Sequence, residues 1–111
     1  MKALSIKEPW ASMILRGEKT VEVRTWRTNY RGDILVCASA KPKTENSGNA
    51  LCIVEIVDCR PMKKSDAKLS GGYFEPKSYS WVLENIRKIK KFPVKGKLSI
   101  FNVECVVECL K

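Results

Sequence analysis

The stretch Gly17-Glu18-Lys19-Thr20-Val21-Glu22-Val23-Arg24 decides the fold of this chain. Its two valines alternate with Glu22 and Arg24, a pattern typical of a strand with one apolar and one polar face. Gly17 stands where the C-terminal cap of a helix belongs. The stretch therefore predicts a helix that ends near Gly17 and then a strand, whose polar face carries Glu22, Arg24 and Trp26.

Outward from this stretch, hydrophobic periodicity predicts short strands with one or two small helices. The strands are expected over residues 3–7, 20–26, 34–38, 51–57, 79–85 and 98–110, and the helices over residues 9–16 and 65–69, the second capped by Ser65. Strands at such short spacing favour an α+β, mainly β domain: a small mixed barrel with helices packed on it.

The composition agrees with one globular domain that spans residues 1–111. The hydrophobic fraction is 44% and the formal net charge is +9. A basic balance of this size suits a polyanionic partner, and ordinary solubility explains it equally well. No run reaches the roughly 18 apolar residues that a membrane span needs, and no secretory signal follows Met1. We therefore expect a cytoplasmic protein with no membrane partner.

The cysteines give no sign of a disulfide framework or of a metal site. There are five of them, an odd number, and the chain has no histidine and no CxxC pair. A zinc site made of cysteines alone needs four thiolates at suitable spacing, and these positions do not offer it. We expect buried, reduced thiols and no metal or other cofactor.

Five ordered segments carry a resemblance to a known family. Gly17 to Arg24 matches the pattern GxKxxExR, which resembles the signature of the ASCH domain, a branch of the PUA-like superfamily. The other four segments are similar to the family's sequence in the same order: Leu4 to Ser12, Tyr30-Arg31-Gly32, Trp81 to Asn85, and Val94 to Leu98. The resemblance spans nearly the whole chain and implies a small PUA-like β-barrel.

The resemblance implies a polar cleft for RNA, a nucleoside or a nucleotide, with a role in RNA metabolism or in the regulation of translation or transcription. Lys19, Glu22 and Arg24 would surround the ligand, because a carboxylate accepts from base amines and the cations bind phosphate. Trp26 is the better candidate for a stacking surface, whereas Trp10 shares a helical face with apolar residues and suits the core. The alternative for Glu22 and Arg24 is a purely structural ion pair.

Some ASCH proteins are hydrolases, so an enzyme is the second hypothesis. The resemblance to the branch that deacetylates N4-acetylcytidine assigns that branch's lysine to Lys19, whereas its threonine falls on Glu22. Other members are reported to cut RNA. If this chain is an enzyme, the candidate catalytic groups are Lys19, Glu22 and Glu84. A lysine acts as a base only when its pKa falls well below its ordinary value of about 10.4.

A basic segment near the C-terminus supplies further candidate contacts. Residues 87–97 hold six basic and no acidic side chains, with apolar residues between them. The pattern suits a loop that follows phosphates, and it suits equally a lysine-rich strand edge that resists aggregation. Together with the cleft, the candidate nucleic-acid contacts are Lys19, Glu22, Arg24, Trp26, Arg31, Lys88, Lys90 and Lys91.

Overall fold

Within the part of the chain that the structure describes, the fold consists of six strands, one α-helix and one 3-10 turn. The computed structural model describes residues 1–104 and 107–110. The elements are β1 (Lys2–Ile6), α1 (Trp10–Leu15), β2 (Val21–Arg24), β3 (Gly32–Ala38), β4 (Asn49–Pro61), the 3-10 turn (Lys64–Asp66), β5 (Tyr79–Pro93) and β6 (Ile100–Asn102). The predicted helix over 9–16 and the strand that begins near Thr20 are therefore present, each slightly shorter than expected.

One mixed sheet holds all six strands in the order β2-β5-β4-β3-β1-β6. β1 and β3 are parallel, and the other neighbours are antiparallel. Beyond β6 the chain returns to β5, where the Lys90 amide donates to Glu108 O at 2.9 Å and the Leu110 amide donates to Lys88 O at 2.8 Å. The sheet thus curls into a barrel-like form, which confirms the predicted small, mixed, mainly β fold.

Two apolar clusters form the core. The larger cluster includes Ala11 and Ile14 of α1 together with side chains of β3, β4 and β5, and Trp81 is fully buried within it. The smaller cluster joins β1, β3 and β4 to Ile89 and Phe101. Packing α1 against the sheet fixes the turn between α1 and β2, and this turn carries Lys19.

Three predicted elements were wrong in extent or kind. β5 does not end at Asn85 but continues to Pro93, so the first half of the basic segment is a strand and not a loop. The expected strand over 98–110 is reduced among the described residues to Ile100–Asn102, with a further bridge between Ile89 and Cys109; residues 105 and 106 lie outside the described part. The second helix is a single 3-10 turn whose N-cap is Lys63, not Ser65.

The thiols differ in environment. Cys37, Cys52 and Cys59 are buried, and burial raises the pKa of Cys52 to about 12. Cys109 is exposed, contrary to the expectation of buried thiols, and Cys105 lies outside the described residues.

Among the helices that the structure describes, none has the length and apolar character needed to cross a bilayer.

Candidate functional site

A cleft of about 770 Å³ opens between β2 and the end of β1. It forms where β6 stops pairing with β1, since that pairing reaches only Leu4 and leaves Ser5 and Ile6 beside the opening. The side chains that line the cleft include aromatic, polar and basic groups: Ser5, Lys7, Trp10, Glu22, Arg24, Ser39, Tyr73, Lys95, Lys97 and Ser99. The cleft therefore combines charge with flat apolar surface.

Three charged side chains are linked at this cleft: Glu22 and Arg24 line it, whereas Lys19 lies behind Glu22 and lines a second pocket. Glu22 Oε1 lies 3.4 Å from Lys19 Nζ, and Glu22 Oε2 lies 2.9 Å from Arg24 Nε. Arg24 Nη2 also donates to the backbone oxygen of Ser5 at 3.0 Å, so it bridges β2 and β1. Alternation along β2 places Glu22 and Arg24 on one face, as the sequence predicted.

Lys19 is wholly engaged inside the protein. Its ammonium group donates to Val21 O at 2.8 Å and to Ser70 O at 2.6 Å, and it pairs with Glu22. Three acceptors therefore match its three N–H donors. Burial lowers the pKa of Lys19, and the charge of Arg24 acts in the same direction, whereas Glu22 opposes both. The sum of these effects is a lowered pKa for Lys19, the direction that burial alone would give.

Two aromatic rings line the cleft beside Lys19. The centroids of Trp10 and Tyr73 lie 5.2 Å apart with their planes inclined by 48°, and Lys19 Nζ lies 5.6 Å and 5.5 Å from them. Gly71 approaches the Trp10 ring so closely that an added Cβ would lie 2.8 Å from Trp10 Cζ3. Burial and Glu22 both raise the pKa of Tyr73. The rings form one wall, which we call the aromatic wall.

Trp26 does not belong to this wall. It lies beyond the end of β2, and its ring packs edge-on against Trp81 with a centroid distance of 4.6 Å. Trp10, which was expected in the core, packs partly against the core and lines the cleft. Both tryptophans are thus partly buried against the larger core cluster, and of the two Trp10 lines the cleft.

Lys95 and Lys97 also line the cleft, on the loop over residues 94–99. An added Cβ at Gly96 would lie 2.7 Å from Ser5 Oγ, so the loop backbone packs directly on β1. Both lysines are exposed. The basic segment therefore reaches the cleft through Lys95 and Lys97, and not through the predicted contacts Lys88, Lys90 and Lys91.

The remaining candidates lie outside the cleft. Glu84 is exposed and lines a second, mostly apolar pocket of about 390 Å³ that also reaches Lys19. Arg31 donates to Thr28 O and Tyr30 O, both at 3.0 Å. The other three are exposed lysines of β5, Lys88, Lys90 and Lys91. Glu22 and Glu84 thus do not share one cavity. Within the described chain, no group of three or more Cys, Asp or Glu side chains could hold a metal ion.

Sequence reasoning missed Tyr73 and a buried carboxylate, Glu8. Glu8 accepts from the amide of Ser12 at 2.9 Å and from Thr44 Oγ1 at 2.9 Å, and so ties the loop after β3 to α1. The spacing of Glu8 and Ser12, four residues apart across the start of a helix, was a usable signal. Tyr73 follows two glycines in an irregular segment, where no periodicity indicates a direction.

Comparison with known proteins identifies the family. The model of the ASCH domain matches residues 4–93. Activating signal cointegrator 1 of Homo sapiens is 28% identical over 127 aligned residues, which cover 91% of this chain, and the protein of the same name from Mus musculus is also 28% identical. The chain spans only 22% of the length of these curated relatives.

Solved structures share the fold. A single-substitution mutant of the ASCH protein ZmASCH from Zymomonas mobilis superimposes with a TM-score of 0.69 at 12% identity, over 93% of this chain and 89% of that one. A second structure of the ASCH protein from Zymomonas mobilis gives a TM-score of 0.65 at 11% identity, over 93% and 87% of the two chains. At this identity the likeness establishes architecture alone.

Proposed function

The chain belongs to the ASCH domain family, and from that premise we propose that residues 1–111 act as one domain whose cleft binds RNA or a nucleotide. Of the charged side chains that line the cleft, four are basic and one is acidic: Lys7, Arg24, Lys95 and Lys97 against Glu22. Because Glu22 is already paired with Lys19 and Arg24, the cleft presents net positive charge to a ligand. An anionic ligand fits this balance.

The observation that carries the proposal is the position of Arg24. Its Nε and Nη2 atoms contact Glu22 and Ser5, whereas Nη1 has no acceptor among the described residues. About a quarter of the side chain (23%) remains exposed. A guanidinium that is held in place and still has free donors is suited to phosphate or to the carbonyl of a base.

The charge contribution is tested by removing the lysines of the loop. We expect Lys95→Ala with Lys97→Ala to weaken binding of a short single-stranded RNA. Each lost phosphate contact should reduce the slope of log affinity against log salt by roughly 0.7. Fluorescence anisotropy with labelled RNA over a range of salt concentrations measures both quantities.

The matched control is Lys64→Ala with Lys68→Ala, which removes the same charge from two exposed lysines that do not line the cleft. If the control reduces affinity and slope as much as the loop variant does, the effect belongs to net charge and the cleft proposal fails. Absence of RNA and nucleotide binding by the parent protein would also reject it.

A hydrolase is the second candidate function. The lowered pKa of Lys19 favours it, since a base must lose its proton near neutral pH. Against this, the lysine donates to two backbone oxygens and one carboxylate, so its nitrogen has no free lone pair to offer a substrate. Glu84, the further candidate acid, is exposed and lines the second pocket, which Lys19 reaches with its donors already engaged. We therefore place binding first.

A further inference from the structure

The lining of the cleft combines two kinds of chemistry. The aromatic wall of Trp10 and Tyr73 lies on the β2 side, where Lys19 contacts both rings. The loop that carries Lys95 and Lys97 packs on Ser5 of β1 and lines the same cleft. A ligand that fills the cleft therefore meets the flat rings of Trp10 and Tyr73 as well as the lysines of this loop.

The aromatic wall is held in place independently of any ligand. Ser70 O accepts from Lys19 Nζ at 2.6 Å, and Ser70 Oγ donates to Tyr73 O at 2.7 Å. Gly71 lies between these contacts, against the face of Trp10. The segment from Ser70 to Tyr73 is thus fixed at both ends, and Tyr73 needs no rearrangement to present its ring. A preorganised ring loses little conformational entropy when it binds.

We propose that the cleft takes one unpaired nucleotide of single-stranded RNA, with its base against Trp10 and Tyr73 and its phosphate toward Lys95 and Lys97. The inference deepens the proposed function and rests on it. A flat heterocycle joined to a phosphate matches the aromatic and the basic side chains that line the cleft. Bases within a duplex are stacked on their neighbours and do not reach an aromatic side chain, so the cleft discriminates against double-stranded RNA.

Tyr73→Ala tests the contact directly. Truncation of an aromatic side chain that stacks on a base costs roughly 5- to 150-fold in affinity, and we expect a loss in this range for single-stranded RNA. Tyr73→Phe retains the ring and should bind as the parent protein does. Phe74→Ala is the matched control, because Phe74 is the next residue, is also partly buried and does not line the cleft.

A spectroscopic signal separates contact from indirect damage. Stacking of a base on Trp10 should quench part of the protein's tryptophan fluorescence on addition of single-stranded RNA, and Trp10→Phe should remove that part. The quenching should be absent with duplex RNA of the same sequence. Trp26 and Trp81 pack against each other outside the cleft and provide the unquenched background.

The inference fails if RNA binds but Tyr73→Ala matches the parent protein or Phe74→Ala, or if Tyr73→Phe loses as much affinity as Tyr73→Ala. It fails equally if duplex and single-stranded RNA bind alike, or if Trp10→Phe leaves the quenching intact. These outcomes leave the proposed function standing, provided that Lys95 and Lys97 still contribute. Absence of any RNA binding would reject both.

Discussion

Lys19 shows how one charged residue can be buried at tolerable cost. Its exposure is 1%, and taking an ammonium group out of water is expensive unless its donors are matched. Two backbone oxygens and Glu22 provide that match. The lysine thereby joins β2 to the segment that carries Tyr73, and its role in the folded chain is to position that segment.

Replacement of Lys19 should therefore reduce stability. Lys19→Met leaves Glu22 with one cation fewer and leaves Val21 O and Ser70 O without their donor, and removing one partner of a buried pair costs about 3–5 kcal/mol. Urea unfolding of both proteins measures the difference. Arg16→Ala, which breaks an exposed ion pair with Glu18, is the control and should change stability far less. Equal losses would contradict the role assigned to Lys19.

The same burial predicts a pH dependence. Because the pKa of Lys19 is lower in the folded chain than its ordinary value of about 10.4, the unfolded chain binds more protons between the two values. The free energy of unfolding of the parent protein, relative to Lys19→Met, should therefore rise with pH through that window. Urea unfolding at several alkaline pH values measures it. A difference that stays flat or falls would show that Lys19 is not desolvated as described.

At the scale of elements, local patterns predicted the α1–β2 junction but not β5. The alternation from Val21 to Arg24 and the glycine after α1 are local signals, and both were correct. β5 runs on past Asn85, which has a φ of 55°, because its second half pairs with β4 through shifted registers and buries Ile89. Such long-range pairing has no signature in a run of lysines.

The aromatic wall was also beyond local prediction. Tyr73 reaches the cleft only because the Gly71-Gly72 turn directs the chain back toward α1, and no periodic pattern covers that turn. The position of Trp26 was predicted wrongly for a related reason. β2 ends at Arg24, two residues before Trp26, so the alternation of side chains along the strand does not extend to Trp26.

The two glycines of this turn allow a paired test. Gly71→Ala and Gly72→Ala both impose a side chain at positive φ, 110° and 98°, yet only at Gly71 does the added Cβ meet Trp10. Overpacking of this kind costs about 1–3 kcal/mol, so we expect Gly71→Ala to be less stable than Gly72→Ala by that amount. It should also bind RNA less well. Thermal unfolding and anisotropy measure the two effects, and equal stabilities would show that the Trp10 contact does not matter.

At the scale of the whole molecule, the basic segment over residues 87–97 divides between β5 and the loop that follows it. Lys88, Lys90 and Lys91 are exposed on β5 and do not line the cleft, and Lys91 Nζ contacts Glu45 O and Asn46 Oδ1 at 3.3 Å. The cleft instead obtains Lys95 and Lys97 from the loop that connects β5 to β6, and Lys7 from the turn between β1 and α1. Under the proposed function, charge on β5 would attract a polyanion from a distance, and the cleft would determine which part of it is held.

The distribution of ionisable groups over the whole molecule leads to the last prediction, which separates a binding domain from a hydrolase. Lys19 and Glu84 line the same second pocket and Glu22 lines the cleft, but the donors of Lys19 are engaged and Glu22 is paired with both Lys19 and Arg24, so neither of these two groups is free to exchange a proton with a substrate. We expect the purified protein to release no cytidine from N4-acetylcytidine and to leave RNA intact, with Lys19→Met indistinguishable from the parent. Chromatography of the reaction products measures this. A general base typically contributes about 10² to 10⁴ in rate, so a catalytic Lys19 would be evident. Product formed by the parent and lost in a folded Lys19→Met variant would establish the hydrolase instead.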